Sequence, residues 1–251
     1  MARSTIATPA GSLTAAVDPG RVWRVARRPN PSAWVPWEYA GDNGRFDGRF
    51  DDPAGGFRTT YAGAELLACP LEDLAPFRPG PLLADDLASI EEGPDDAANY
   101  PTEATGTVPS AWLGQRVAAT AVLDGAYCTV TDKESLPTLR SRFLPMALGY
   151  GLADLDAGAL RLSAPRALSQ HIAAWRYDLH HEGADLFAGV EFESRHGDGL
   201  TLFAIFERPD DGDTSSHLSD RSVVELRRDD EALLEAFRLH RLAWGEGSSP
   251  S

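Results

Sequence analysis

The alternation of apolar and polar side chains predicts strands at intervals along the chain. Residues 21–25 alternate basic and apolar side chains, as a half-buried strand does. Two apolar stretches, 186–192 and 200–206, flank a polar segment that contains Asp198-Gly199, a strong turn signal, and therefore predict a β-hairpin. Further short strands are predicted at residues 57–61, 117–123 and 223–226.

A spacing of three to four residues between apolar side chains predicts helices between these strands. Residues 135–148 are helix-like, and residues 229–244 form an amphipathic pattern with acids at its start and Gly245 just after it. The clearest helix spans residues 165–179. A proline stands near its start, and its apolar positions are Leu168, Ile172, Trp175 and Leu179.

Residues 62–74 also predict a helix, interrupted at Pro70, that places Glu65 and Glu72 near one face. Strands and helices are intermixed along the chain, without regular βαβ alternation and without an internal repeat. This order predicts the α+β fold class.

Local composition divides the chain into a domain and two tails. Residues 1–19 and 245–251 are rich in Ser, Gly, Pro and Ala and are predicted to be flexible tails. Residues 20–244 then form a single domain. Within it, residues 79–115 contain seven acids and no base, which predicts an acidic, loop-like insertion.

The overall charge excludes some ligands but not all anions. The chain carries 38 acidic and 23 basic residues, for a net charge of -15. This balance argues against nucleic-acid binding and against an anionic membrane surface, because both require a basic face. Residues 21–58 differ, since seven arginines against five acids give +2. A small anionic ligand would therefore bind near this first arginine cluster.

The two cysteines, Cys69 and Cys128, are far apart and lack CxxC spacing, which supports neither a disulfide framework nor a zinc site. No apolar run approaches the ~20 residues of a membrane span. The N-terminal residues also lack the continuous apolar segment of a secretory signal. We therefore expect a cytoplasmic protein without a bound metal.

Several common catalytic motifs do not occur: GxSxG, GxxxxGK[ST], HExxH, and GxGxxG after a strand. His180-His181-Glu182 looks metal-like, but adjacent histidines cannot share one helical face, and we expect a helix C-terminus there. Ser194 and His196 would lie on one face of a strand without a third group to orient them, which disfavours a catalytic triad.

Three features remain as candidate functional sites, and each also has a purely structural interpretation. An arginine, a tyrosine, a helix acid and a turn serine occur on folds of every function. The candidates are Arg45 or Arg49 in a duplicated Gly-Arg-Phe-Asp loop, Tyr61 with Glu72 eleven residues later, and Ser194-Arg195 on a hairpin arm.

Taken in order, these segments resemble the RES domain family, which is named for its Arg, Glu and Ser. The resemblance begins with Arg-Val-Trp-Arg-Val at 21–25 and continues with Gly-Arg-Phe-Asp-Asp-Pro at 48–53 and Thr-Tyr-Ala-Gly-Ala at 60–64, up to Glu72. It resumes with Pro-Arg-Ala-Leu-Ser-Gln-His-Ile-Ala-Ala-Trp at 165–175. It ends with Ala-Gly-Val-Glu-Phe-Glu-Ser-Arg at 188–195 and the strand to Glu207, so that it covers most of residues 20–208.

The resemblance implies a mixed or antiparallel β core with flanking helices, similar in fold to the ADP-ribosyltransferase toxins, that binds NAD+ in a cleft. By position, Arg49, Glu72 and Ser194 match the catalytic residues of the family. The residues that would contact NAD+ are Arg24, Arg45, Arg49, Tyr61 and Ser194. Arg45 competes with Arg49 for the arginine's role, and Arg49 is preferred because Asp-Asp-Pro follows it.

These residue types suit the chemistry of NAD+. A planar guanidinium can hold a pyrophosphate through two hydrogen bonds. Cleavage of the nicotinamide–ribose bond develops positive charge on the ribose, which a carboxylate stabilises. An aromatic ring can flank the nicotinamide or ribose, and a serine hydroxyl can bond an amide or a phosphate.

The resemblance implies NAD+ hydrolysis, or phosphorolysis with inorganic phosphate as co-substrate. Protein mono-ADP-ribosylation and non-catalytic binding of NAD+ or a partner are the alternatives. Family members studied as toxins pair with an Xre-type antitoxin, so a separate antitoxin chain is the implied partner. The oligomeric state stays open, with a homodimer as one alternative. The extra length within residues 79–165 would form a lid or cover an antitoxin surface.

Overall fold

The computed structural model describes residues 2–79, 106–162 and 165–245. Nine strands form one sheet in the order β1-β2-β7-β10-β11-β4-β3-β6-β12. These strands are β1 (Ala2–Thr8), β2 (Gly11–Val17), β3 (Gly20–Arg27), β4 (Thr59–Gly63), β6 (Arg116–Leu123), β7 (Ala126–Thr129), β10 (Gly189–Glu193), β11 (Thr201–Phe206) and β12 (Leu218–Val224). Within the described residues, β7 and β10 pair in parallel and the other neighbours pair antiparallel.

Helices and two small strand pairs complete the fold. The helices are α1 (Ala68–Asp73), α2 (Ser110–Gly114), α3 (Ser135–Gly149), α4 (Ala157–Arg161), α5 (Arg166–Tyr177) and α6 (Glu231–His240). Strand β5 (Thr107–Val108) pairs with β13 (Ala243–Trp244), and β8 (His180–His181) pairs with β9 (Ala184–Asp185). The predicted α+β class, with a mixed and mostly antiparallel sheet flanked by helices, is confirmed.

Most strand predictions are confirmed, but the prediction of a flexible N-terminal tail is wrong. The predicted strands at 21–25, 57–61 and 117–123 correspond to β3, β4 and β6, and the predicted hairpin corresponds to β10 and β11. Of the strand predicted at 223–226, only residues 223–224 are in a strand, as the end of β12, which begins earlier, at Leu218.

Residues 2–17, predicted to be flexible, form the hairpin β1–β2, in which Ala2 pairs with Val17 and Thr8 with Gly11. Strand β2 also pairs with β7, and Leu13 and Ala15 are fully buried. The small residues therefore pack in the sheet instead of forming a loop.

The helix predicted at 62–74 begins later than expected. Residues 62–63 end strand β4, and α1 begins at Ala68, so Glu65 lies exposed in the preceding turn and shares no helix face with Glu72. Pro70 does not interrupt α1, because it occupies the first turn, where a backbone N–H has no partner within the helix.

Two other predicted helix ends are also wrong. Helix α6 ends at His240, where Arg241 adopts a left-handed conformation and the Leu242 N–H donates to the Phe237 carbonyl, so Gly245 is not the cap. His180 and His181 do not end a helix, because α5 stops at Tyr177 and the two histidines form β8.

The centre of the sheet is buried on both faces, which explains the nearly continuous apolar run of β11. Leu202, Ala204 and Phe206 pack with residues of α1 and α6, whereas Phe203 and Ile205 face the opposite core. A third core joins β2 to α3 and α5. The apolar side of β10 and β11 beneath α1 positions the candidate site.

Some predictions fall outside the described residues. These are most of the acidic insertion, residues 80–105, and the C-terminal tail beyond Gly245. Residues 106–115 of the predicted insertion contain β5 and α2. Both cysteines are free thiols. In the described part of the chain, no helix has the length and apolar character needed to span a membrane.

Candidate functional site

One cavity, of about 400 Å³, brings together most of the residues singled out in the sequence. It lies between α1, strands β3, β4, β10 and β11, and the loop that precedes β4. The charged and hydroxyl-bearing side chains that line it are Arg24, Arg49, Tyr61, Glu72, Asp73, Arg166 and Arg195. Its volume is in the range of small-molecule sites.

The Arg49 side chain is fixed at the cavity wall by its surroundings. Its guanidinium carbon lies 5.0 Å from the ring centre of Phe50 and 5.1 Å from that of Phe192. One terminal nitrogen donates to the Leu160 carbonyl, whereas Nε is buried and has no partner among the described residues. Burial lowers the pKa of Arg49, and Glu72 opposes that shift. Arg49 lines the cavity, which places its positive charge where an anion could bind.

The acids after Arg49 shape the loop that carries it. Asp51 accepts a hydrogen bond from the Gly48 N–H, and Asp52 accepts one from the Ala54 N–H at 3.1 Å. Gly48 has no room for a side chain, since a Cβ there would lie 2.9 Å from the Tyr61 hydroxyl oxygen. The Gly-Arg-Phe-Asp-Asp-Pro segment therefore forms a compact turn against the tyrosine.

Arg24 and Tyr61 are positioned by neighbouring strands of the sheet. Arg24, on β3, donates to the Thr60 hydroxyl of β4, and burial lowers its pKa to about 10. The Tyr61 hydroxyl oxygen accepts a hydrogen bond from the Phe50 N–H at 3.0 Å. Burial raises the pKa of Tyr61, so this side chain stays neutral at the cavity wall.

Ser194 reaches the site through Glu72. Its hydroxyl donates to Glu72 Oε1 at 2.6 Å and accepts a hydrogen bond from the His196 N–H at 3.0 Å. Ser194 is 5% exposed, and it follows β10 directly. Helix α1 carries Glu72 toward the cavity, and the hairpin turn places the serine against it. Of the predicted set, Arg49, Tyr61 and Glu72 line the cavity, whereas Ser194 is not part of its lining and joins the set through its hydrogen bond to Glu72.

Arg45, the competing arginine, lies elsewhere. It is exposed, and its guanidinium donates to the Pro53 carbonyl at 2.7 Å. It does not line the cavity. The position of Arg45 therefore does not support the prediction that it contacts the ligand. Arg49, in contrast, lines the cavity.

Three further charged residues line the cavity, and of these only Arg195 was among the candidates in the sequence. Arg166 opens α5 and Arg195 follows Ser194, and both side chains reach the cavity. Asp73 is paired with Arg116 at 2.9 Å, and burial raises its pKa. Arg166 and Asp73 were not predicted as site residues. Asp73 lines the cavity because α1 begins at Ala68, several residues later than the sequence predicted.

The cavity therefore presents an excess of positive charge with one suitable carboxylate. It has four arginines and two acids, and one of those acids, Asp73, is already paired. Such a wall can bind an anion while Glu72 faces a developing cation. Within the described ranges, no group of three or more His, Cys, Asp or Glu side chains is placed to hold a metal ion.

The chain was compared with solved structures, protein-family models and curated proteins. A solved structure of the M. tuberculosis MbcT–MbcA toxin–antitoxin complex contains a chain similar to this one at 14% identity, with a TM-score of 0.38. The alignment covers 90% of this chain and 92% of that one. Similarity at this level carries no functional conclusion for the present chain. No protein-family model matches the sequence, and the search of curated proteins gives no match.

Proposed function

We propose that the protein binds NAD+ in the arginine-lined cavity and cleaves the bond between nicotinamide and ribose. The observation that carries this proposal is the convergence of Arg24, Arg49, Glu72 and Ser194 at one site. These residues come from distant parts of the sequence, and the RES resemblance had matched them in order. Hydrolysis or phosphorolysis of NAD+ is the proposed reaction.

The arginines supply the binding part of the proposal. The pyrophosphate of NAD+ carries two negative charges, and a guanidinium can donate two hydrogen bonds to neighbouring phosphate oxygens. Arg49 lines the cavity, and the contacts of its guanidinium with the Phe50 and Phe192 rings restrict its side chain. Binding therefore requires little further ordering of this side chain, which favours affinity.

Glu72 is the residue proposed to promote cleavage of the nicotinamide–ribose bond. When nicotinamide leaves with the bonding electron pair, positive charge develops on the ribose ring, and a nearby carboxylate stabilises that charge. Ser194 holds Oε1 through a hydrogen bond at 2.6 Å, while the Glu72 side chain remains 35% exposed to the cavity. In hydrolysis, water then attacks the anomeric carbon and releases a proton to solvent. In phosphorolysis, an oxygen of hydrogen phosphate forms this bond instead.

Product analysis tests the proposal. The purified protein is incubated with NAD+, with and without inorganic phosphate, and released nicotinamide and ribosyl products are identified by mass spectrometry. Free ADP-ribose indicates hydrolysis, and its 1″-phosphate indicates phosphorolysis. Label from NAD+ appearing on protein indicates ADP-ribosylation instead. Binding of NAD+ without nicotinamide release would leave a non-catalytic binding protein and refute the cleavage proposal.

A toxin role extends the same proposal. An enzyme that depletes NAD+ would harm the cell that makes it, so we propose that a separate antitoxin protein restrains it, as the resemblance implies. Induced expression should then arrest bacterial growth, and the Glu72→Gln variant should not. Equal arrest by both proteins would show that any toxicity is unrelated to this site.

A further inference from the structure

Glu72 is contacted on both carboxylate oxygens by the segment that follows β10. Ser194 donates to Oε1 at 2.6 Å, and His196 Nε2 lies 3.6 Å from Oε2. The second distance is too long for a hydrogen bond. The His196 side chain is 2% exposed, so its ring is fixed against the carboxylate.

The same ring nitrogen has a second partner. Arg195 Nε donates to His196 Nε2 at 3.3 Å. Nε2 accepts this bond through its lone pair and therefore carries no proton. The proton of the neutral ring then resides on Nδ1. Arg195 and Glu72 both line the cavity, yet among the described residues they form no ion pair. His196 Nε2 contacts both side chains, at 3.3 Å from Arg195 Nε and 3.6 Å from Glu72 Oε2.

The surroundings keep this ring uncharged at neutral pH. The pKa of His196 is lowered to about 4, chiefly by burial; Glu72 opposes the shift, and Arg78, Arg195 and His240 reinforce it. The His240 ring packs edge-on at 5.4 Å and is itself anchored to the Leu71 carbonyl at 2.7 Å. His196 therefore carries no charge at pH 7 that would neutralise Glu72.

We propose that His196 is a positioning residue that separates Arg195 from Glu72, so that the carboxylate stays free for the ribose and the guanidinium stays free for an anion. Without the ring, the two opposite charges would pair with each other. The inference rests on the proposed function, since Glu72 needs an uncompensated charge only if it stabilises a developing cation.

Three variants test this separation by nicotinamide release. His196→Ala removes the ring, and kcat should fall roughly 10- to 100-fold as Arg195 closes on Glu72. His196→Gln keeps an amide oxygen that can accept from Arg195, and it should retain most of the activity. Adding Arg195→Ala to His196→Ala removes the competing cation. The double variant should therefore recover kcat relative to His196→Ala, while its KM rises because an anion-binding group is lost.

A histidine elsewhere provides the matched control. His217 Nδ1 lies 2.8 Å from Asp124 Oδ1, so it also contacts a carboxylate, but it does not line the cavity. His217→Ala should leave kcat and KM unchanged. A purely structural role of His196 predicts no recovery in the double variant, and that result would overturn the proposal.

Ring nitrogen NMR shifts of His196 test the separation without any turnover. At pH 7 we expect a proton on Nδ1 and none on Nε2, and Glu72→Gln should lower the His196 pKa further, because the carboxylate opposes the effect of burial. A protonated Nε2 at pH 7, or an unchanged pKa, would overturn the inference. Absence of nicotinamide release with these NMR results intact would refute the proposed function alone.

Discussion

Replacing Glu72 by glutamine removes one charge while keeping most of the local geometry. The side-chain amide has nearly the size of the carboxylate, and its oxygen can still accept the Ser194 hydrogen bond that now measures 2.6 Å. The variant should therefore fold and bind NAD+ much as the original does. What it loses is the negative charge that faces the developing ribosyl cation.

The size of this loss follows from the position of Glu72. The side chain is 35% exposed, so its environment is neither bulk water nor a dry interior. At an effective dielectric constant of about 20, two unit charges about 4 Å apart attract by about 4 kcal/mol. Because each 1.36 kcal/mol changes a rate tenfold, kcat should fall by about 10³, with a much smaller change in KM.

Single-turnover release of nicotinamide, followed by chromatography, measures this effect. Glu65→Gln is the control, because Glu65 is an exposed carboxylate in the turn before α1. It should behave as the unmodified protein does. A fall in kcat of less than about tenfold in Glu72→Gln would contradict the electrostatic role. Parallel losses of binding and thermal stability would show that Glu72 is structural.

Three further predictions concern residues around the cavity. Arg49→Lys should raise KM about 10- to 100-fold, because an ammonium cannot replace a bidentate guanidinium, whereas Arg45→Lys, outside the cavity, should not change KM. Tyr61→Phe should lower the unfolding free energy by about 1–3 kcal/mol in urea titrations, because the Phe50 N–H loses its acceptor; an unchanged midpoint would contradict this. Burial raises the pKa of Cys69 to about 12, so iodoacetamide at pH 8 should alkylate it in urea but hardly at all in the folded protein.

Local pattern was sufficient for the elements whose signals lie within a few residues. Strand β3 shows alternation, and the β10–β11 hairpin has apolar arms around Asp198-Gly199, so both were predicted. Helices α3 and α5 were also predicted, because turn chemistry and helical periodicity act over short distances.

The wrong predictions arise where distant partners decide the outcome. The β1–β2 hairpin has a composition typical of a loop, and it is ordered because β2 pairs with β7, more than 100 residues away. Helix α6 stops at His240 because the next residues turn and pair with β5, which local periodicity does not reveal. Tertiary pairing overrides local preference in both places.

Local pattern and composition predicted the fold class, six of the nine strands described in the large sheet, four of the six described helices, the candidate residues, and the local surplus of arginine within an acidic chain. The sequence preferred Arg49 to Arg45 on the following Asp-Asp-Pro, but both stand in the same Gly-Arg-Phe-Asp repeat. The packing of Gly48 against Tyr61 decides between them, because it brings Arg49 to the cavity wall while Arg45 stays exposed. The arrangement of Arg195, His196 and Glu72 was likewise invisible in the sequence, since a cavity wall is assembled by packing between segments that lie far apart in the chain.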